Sequence, residues 1–275
     1  MSLARAIRSE LTKQFSTSLW WVLAIVLVAY LGFTAGGLAA TLGAVASGVL
    51  SDSATGGALP GETLPPIIYS IATSVGYIFP LLIGVLVVTG EFRHKTLTPT
   101  FLATPRRGVA LTGKALAGVV MGVLYGVLAL VATVGPGAGL LAAFGEPTAL
   151  DEPETWALLG RIVVAFVVWV LIGIGVGTLV RNQIGAVVGV IAFTQFVEPI
   201  VRTVAGFIEG VGDVIRFLPG AASDALVGAS IYSTFAEAAG GAAPLDWWAG
   251  GLILLGYAVV FLVLGGLLSW RRDVA

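Results

Sequence analysis

Residues 90–114 read GEFRHKTLTPTFLATPRRGVALTGK, and the rest of the chain is organised around them. The stretch holds Arg93, Lys95, Arg106, Arg107 and Lys114 together with the only histidine, His94. It is the densest basic island in the protein, and the sequence on either side is apolar enough to cross a bilayer. A charged connector between two membrane spans must lie outside the hydrocarbon, and its basic balance predicts the cytoplasmic side.

Composition agrees. Of 275 residues 57% are hydrophobic and 11% charged, with a mean hydropathy of +1.01, whereas a soluble domain carries about 25% charged residues. The chain reads as an integral membrane protein. With no cysteine it has no disulfide framework, thiolate metal site or cysteine nucleophile. Three lysines against eleven arginines, with abundant Ala, Gly and Val, point to a GC-rich bacterial source.

Working outward from the loop, the preceding span covers about Ile67 to Gly90, kinked or loosened near Pro80. The span after it starts near Lys114 and is broken or bent by Gly135-Pro136-Gly137. Upstream, residues 1–18 read as an amphipathic helix on the membrane. Leu3, Ile7, Leu11 and Phe15 share one face, and Arg5, Arg8 and Lys13 supply charge for lipid headgroups. A polar tail obeying the positive-inside rule would look similar. The uncharged run from Gln14 to Ser51 is far longer than a signal peptide's apolar region. A first span covers about Leu19 to Ala40, opening on the interfacial indoles of Trp20 and Trp21.

Downstream, Arg161 precedes a fourth span from Ile162 to Val180. The turn Arg181-Asn182 then leads into a fifth apolar run, Gln183 to Val197, which is short against the roughly 20 residues a crossing needs. Residues 199–240 read as one or two short re-entrant helices in the outer leaflet, and the last span covers Trp247 to Trp270. Six spans place both termini on one side. Eleven of the fourteen bases then fall on the side of the basic loop, and twelve of the fifteen acids fall opposite. The expected fold is therefore one all-α membrane domain, 1–275, with both termini and the basic loop cytoplasmic.

Several motifs carry less than their letters promise. Gly108 to Ala115 nearly matches a phosphate-binding loop, but Ala115 lacks the hydroxyl that would bind Mg²⁺ and no strand precedes it. Gly173-x-Gly175-x-Gly177 lacks the spacing and strand of a dinucleotide fingerprint and reads as helix packing. A single histidine leaves no metal centre to build, and no catalytic residue is indicated.

Three groups of polar residues remain. In the second span Tyr69, Thr73 and Tyr77 are spaced by four with Ser70 and Ser74 beside them, a stripe that suits either a substrate pathway or interhelical hydrogen bonds. Gln195 is a further pathway candidate. Glu198 and Arg202 are one turn apart in the order that favours a helical ion pair, read as a structural pair holding a re-entrant corner. The basic loop alternates charged and apolar residues, so it reads either as a topogenic cluster or as a short amphipathic helix that docks in a partner's groove and ends at Pro105.

The stretches Gly90-Glu91-Phe92-Arg93-His94-Lys95-Thr96-Leu97 and Leu102-Ala103-Thr104-Pro105-Arg106-Arg107, with Lys114, resemble the cytoplasmic coupling helix of ABC-2 type ABC transporter permeases. Gly177-Thr178-Leu179-Val180-Arg181-Asn182 is similar to that family's junction between fourth and fifth spans, and Phe217-Leu218-Pro219-Gly220 to the sequence before its last span. The resemblance implies a permease subunit without an ATPase of its own, in the inner membrane of a bacterial cell. It would pair with a second permease subunit, the same or homologous, and with a separate cytosolic ABC ATPase that binds ATP and Mg²⁺. By carry-over Glu91, Phe92, Arg93, His94, Thr96, Leu97, Arg106 and Arg107, within residues 91–107, would couple to that ATPase. The chain itself is expected to bind no cofactor and no nucleic acid. The alternatives are a non-transport membrane protein, such as an intramembrane enzyme or accessory factor, or a secondary transporter, whose ion coupling needs an intramembrane carboxylate for which only Glu198 qualifies, at the wrong depth.

Overall fold

The computed structural model describes residues 2–50, 60–97, 100, 102, 106–180, 182–205, 212–238 and 244–268, without the side chains of 205, 212, 213 and 235–238. The described residues contain helices and connecting turns and no strand. Six of these helical segments are long and apolar enough to cross a membrane. They are Leu19–Ala46 (span 1), Gly61–Arg93 (span 2), Arg107–Ala143 (span 3), Pro153–Leu179 (span 4), Gln183–Val204 (span 5) and Trp247–Leu268 (span 6). The protein is a multi-pass, all-helical membrane protein.

Local chemistry fixes the helix ends. Pro153 opens span 4, where a missing N–H costs nothing, and Glu154 in the same turn faces the positive end of the helix dipole. Asn182 caps span 5, its Oδ1 accepting from the Gly185 N–H at 3.0 Å. Span 6 begins on the indoles of Trp247 and Trp248, both largely exposed.

Three expectations need correction. Span 3 is one helix of 37 residues that starts at Arg107, and Gly135-Pro136-Gly137 does not break it. Here the ring of Pro136 packs beside Gly36 of span 1, at a distance where even an added methyl group would make ordinary contact, and neighbouring helices make such a proline tolerable. Span 2, by contrast, is loosened near Pro80 as expected: the interruption falls at residues 75–77, in the turn before the proline, between helices Leu64–Ser74 and Ile78–Arg93. Span 5 does not stop at Val197. A π-helical turn, Phe193–Val197, passes the chain into helix Glu198–Ala205. Pro199 therefore sits in a first helical turn, where its missing N–H is harmless. The region after span 5 holds the helices Gly212–Ile215, Pro219–Val227 and Ile231–Ala238 rather than one or two.

Span 4 lies at the centre and packs on spans 2, 3 and 6. It buries Ile162, Phe166, Trp169, Val170 and Ile174. Its seam with span 2 is made by glycine. A Cβ at Gly84 would strike the Val170 carbonyl oxygen, and one at Gly173 would strike that of Leu81. In lipid such close backbone approach is the main source of helix adhesion, since apolar side chains gain nothing by leaving lipid for protein. Span 1 packs on span 3, and the basic end of span 3 receives the N-terminal helix Leu3–Phe15.

Candidate functional site

At the basic end, four charges form a knot, with Glu10, Glu91 and Lys114 buried and Lys13 half-exposed. Lys114, 1% exposed, lies two turns inside span 3. Its Nζ reaches Glu10 Oε2 at 2.5 Å and Glu91 Oε1 at 3.2 Å. The Nζ of Lys13 reaches Glu10 Oε1 at 2.7 Å, Glu91 Oε1 at 2.9 Å and the Thr100 hydroxyl at 3.2 Å. Two acids and two bases balance, which is the condition for burying charge at all. The knot joins the N-terminal helix, the end of span 2, the loop and span 3. Glu91 Oε2 and both polar atoms of the Gln14 amide are buried beside it without a hydrogen-bond partner among the described residues.

The knot turns the N-terminal helix in an unexpected way. Its face towards the bundle is Ala6, Glu10 and Gln14, with the Ala6 methyl group against Gly113. The apolar stripe is not buried: Leu3 and Phe15 are 41% and 42% exposed. Burial would push the Glu10 carboxyl up, but Lys114 and Lys13 overcome it and hold the group below its ordinary value. Burial would push Lys13 down, but Glu91 and Glu10 hold it above its ordinary value.

The residues expected to meet an ATPase divide into two groups. Glu91 and Leu97 are buried and face inwards, and Phe92 is half-buried. Glu91 is thus part of the knot and not of an exposed docking face. Arg93, His94, Thr96 and Arg106 are exposed, Arg107 is half-buried, and Leu102 is 79% exposed. Arg93 Nη1 donates to Gln183 Oε1 at 3.3 Å, tying the loop to the start of span 5. Thr98, Phe101 and residues 103–105 lie outside the described residues, and so does Arg181.

At the opposite end a second polar cluster clamps the helix Pro219–Val227 to three spans. The expected ion pair of Glu198 with Arg202 is replaced by partners on this helix. Arg202 Nη2 pairs with Asp224 Oδ2 at 2.5 Å, and the guanidinium lies 4.9 Å from the centre of the Tyr232 ring. Glu198, 1% exposed, accepts at Oε1 from the N–H groups of Gly220 and Ala221 at 2.6 and 3.2 Å. A carboxylate there meets unsatisfied donors and the positive end of the helix dipole. Its Oε2 has no hydrogen-bond partner among the described residues. Trp169 Nε1 donates to the Ser223 hydroxyl at 3.0 Å, the hydroxyls of Ser74 and Ser230 lie 3.2 Å apart, and Arg161 Nη1 donates to the Val227 carbonyl at 3.1 Å. Burial pushes the Asp224 carboxyl above its ordinary value, with Arg202 and the Ser230 hydroxyl acting against it.

Of the pathway candidates, Tyr77 donates to the Thr194 carbonyl at 2.9 Å and stacks at 4.6 Å on Trp169, joining the clamp. Tyr69 donates to the Thr148 carbonyl at 2.8 Å, and Thr73 bonds back to the Ser70 carbonyl at 3.0 Å. All three hydroxyls are spent on backbone oxygens. Gln195, in the π-helical turn, is half-buried.

Sequence reasoning missed Glu10, Lys13 and Lys114 as a unit, and Asp224, Trp169, Ser223 and Ser230 as the far side of the clamp. The available signals were a lysine two turns inside an apolar helix and an acid on a basic amphipathic helix. No protein-family model matches the chain, and no curated protein matches it either.

Proposed function

We propose that this chain is the permease subunit of an ATP-driven exporter of the ABC-2 type, set in a bacterial inner membrane with both termini and the basic loop in the cytoplasm. It works with a second permease subunit and a cytosolic ATPase that binds ATP and Mg²⁺. The observation that carries the reading is a loop that presents Arg93, His94, Thr96, Leu102 and Arg106 outwards while the knot braces it from beneath. A push on such a loop is passed to span 3 and to the N-terminal helix together, because Glu91, Lys114, Glu10 and Lys13 bind all of them. The basic face with one protruding leucine suits an acidic, partly apolar groove on the ATPase. Co-purification in mild detergent with a cytosolic ATPase encoded beside it tests the reading. A stable complex is expected, and it should be lost with His94→Ala and Arg106→Ala. Purification of the folded chain free of any ATPase would overturn it.

One observation favours a second reading. Glu198 is buried within span 5 with one oxygen unpartnered, and an intramembrane carboxylate of that kind is what a proton-coupled secondary transporter requires. On that reading substrate uptake into proteoliposomes follows an imposed pH gradient without ATP, and Glu198→Gln abolishes it.

A further inference from the structure

The N-terminal helix has a third face, clear of the apolar stripe and shared with the knot only through Lys13. Arg5, Arg8, Ser9, Thr12, Lys13 and Ser16 line a groove of about 430 Å³ along it. Their spacing places them on one side of the helix, away from the bundle-facing Ala6, Glu10 and Gln14. Arg5 and Arg8 are exposed, and no acid among the described residues pairs with them. The Thr12 and Ser16 hydroxyls donate to backbone carbonyls of their own helix at 2.8 and 3.0 Å. That leaves two guanidinium forks and the Ser9 hydroxyl as donors for an anion.

We propose that this groove is a discrete binding site for the phosphate of an anionic phospholipid. Guanidinium groups match phosphate oxygens two at a time, and with Lys13 at the edge the groove carries more positive charge than a zwitterionic headgroup would balance. The lipid is favoured over free phosphate by what lies alongside. Leu3 and Phe15 are exposed on the same helix, and the Trp20 ring packs edge-on against Phe15 at 5.2 Å, an interfacial anchor that free phosphate has no use for. Acyl chains cover the stripe while the headgroup phosphate enters the groove. The site is independent of the transport reading, since it needs only a membrane.

The test uses the full-length chain, stripped of lipid in mild detergent, titrated with short-chain phosphatidylglycerol or with matching phosphatidylcholine. Bound lipid is counted by native mass spectrometry. Phosphatidylglycerol should bind with one-site saturation and about tenfold or more tighter than phosphatidylcholine. That preference should vanish in Arg5→Gln/Arg8→Gln and persist in Arg93→Gln/Arg106→Gln, which loses the same charge elsewhere. Ser9→Leu keeps every charge but fills the groove, and should also weaken binding. Equal loss in both arginine double variants, or undiminished binding in Ser9→Leu, would reduce the effect to diffuse attraction and overturn the site. Displacement of phosphatidylglycerol by millimolar inorganic phosphate would assign the groove to free phosphate instead. Unchanged hydrogen exchange over residues 3–15 shows that the variants remain docked.

Discussion

The ammonium of Lys114 lies 2.5 Å from the carboxylate of Glu10, 104 residues earlier in the chain, and both are buried. One ion pair thereby fastens the N-terminal helix to span 3. Breaking a buried pair from one side leaves a charge stranded in a poor solvent, at about 3–5 kcal/mol. Lys114→Met should lower the melting temperature in detergent clearly. The double variant Glu10→Gln/Lys114→Met, which leaves only Glu91 facing Lys13, should recover most of the loss. A double variant no more stable than Lys114→Met would contradict the pairing.

The knot also sets a pH window for the N-terminal helix. The Glu10 carboxyl is lowered in the folded protein, so its stabilisation is complete above the ordinary value of about 4.3 and is lost as pH falls through the lowered one. The Lys13 ammonium is raised, so its share is complete below about 10.4 and is lost as pH rises through the raised value. The protection factors of amides 3–15, that is, exchange rates corrected for their intrinsic pH dependence, should be flat between those limits and fall beyond each. Glu10→Gln should remove the acid limb and also weaken the alkaline one, since Glu10 is one of the two acids that raise Lys13.

The clamp at the end opposite the knot can be tested by covalent capture. The hydroxyls of Ser74 and Ser230 are 3.2 Å apart, and the chain has no cysteine of its own. Ser74→Cys/Ser230→Cys should form a disulfide under mild oxidation, read as a mobility shift on a gel after cleavage between the two sites. A reduced pair under the same conditions would contradict the contact.

Two glycine substitutions separate seam from surface. Gly173→Ala drives a methyl group into the Leu81 carbonyl and should cost about 1–3 kcal/mol, as overpacking does, while Gly139→Ala meets nothing within 4 Å and should be neutral or slightly stabilising. Thermal unfolding of the pair in one detergent reads the difference. Equal midpoints would show that the seam is not closely packed.

Much of the architecture was legible because lipid imposes a simple code. Runs of apolar residues located all six spans, and five of the six start or end within a few residues of their expected limits. What misled was local punctuation. Gly135-Pro136-Gly137 looks like a break, yet the helix runs through it with the proline ring packed beside Gly36 of another span. Glu198-Pro199 looks like a terminus, yet a π-helical turn carries the chain on, and Glu198 finds its donors at Gly220 and Ala221, 22 and 23 residues later. The stripe Leu3, Ile7, Leu11 and Phe15 was read correctly as one face, but sequence gives no direction for it, and Glu10 turned the opposite chemistry towards the protein. Partners distant in sequence decided each case.

Lys13 belongs both to the knot and to the rim of the cationic groove, and its valence is full. An ammonium has three hydrogens, and Glu10, Glu91 and Thr100 already accept from it. An anion at that rim gains only the through-space attraction of Lys13 unless one of those three acceptors lets go. Thr100, the longest of the three and the one on the loop, is the first to be given up. A headgroup bound as proposed would compete with the loop for a single hydrogen-bond donor, and the stiffness of the loop would then depend on the surrounding bilayer as well as on the protein.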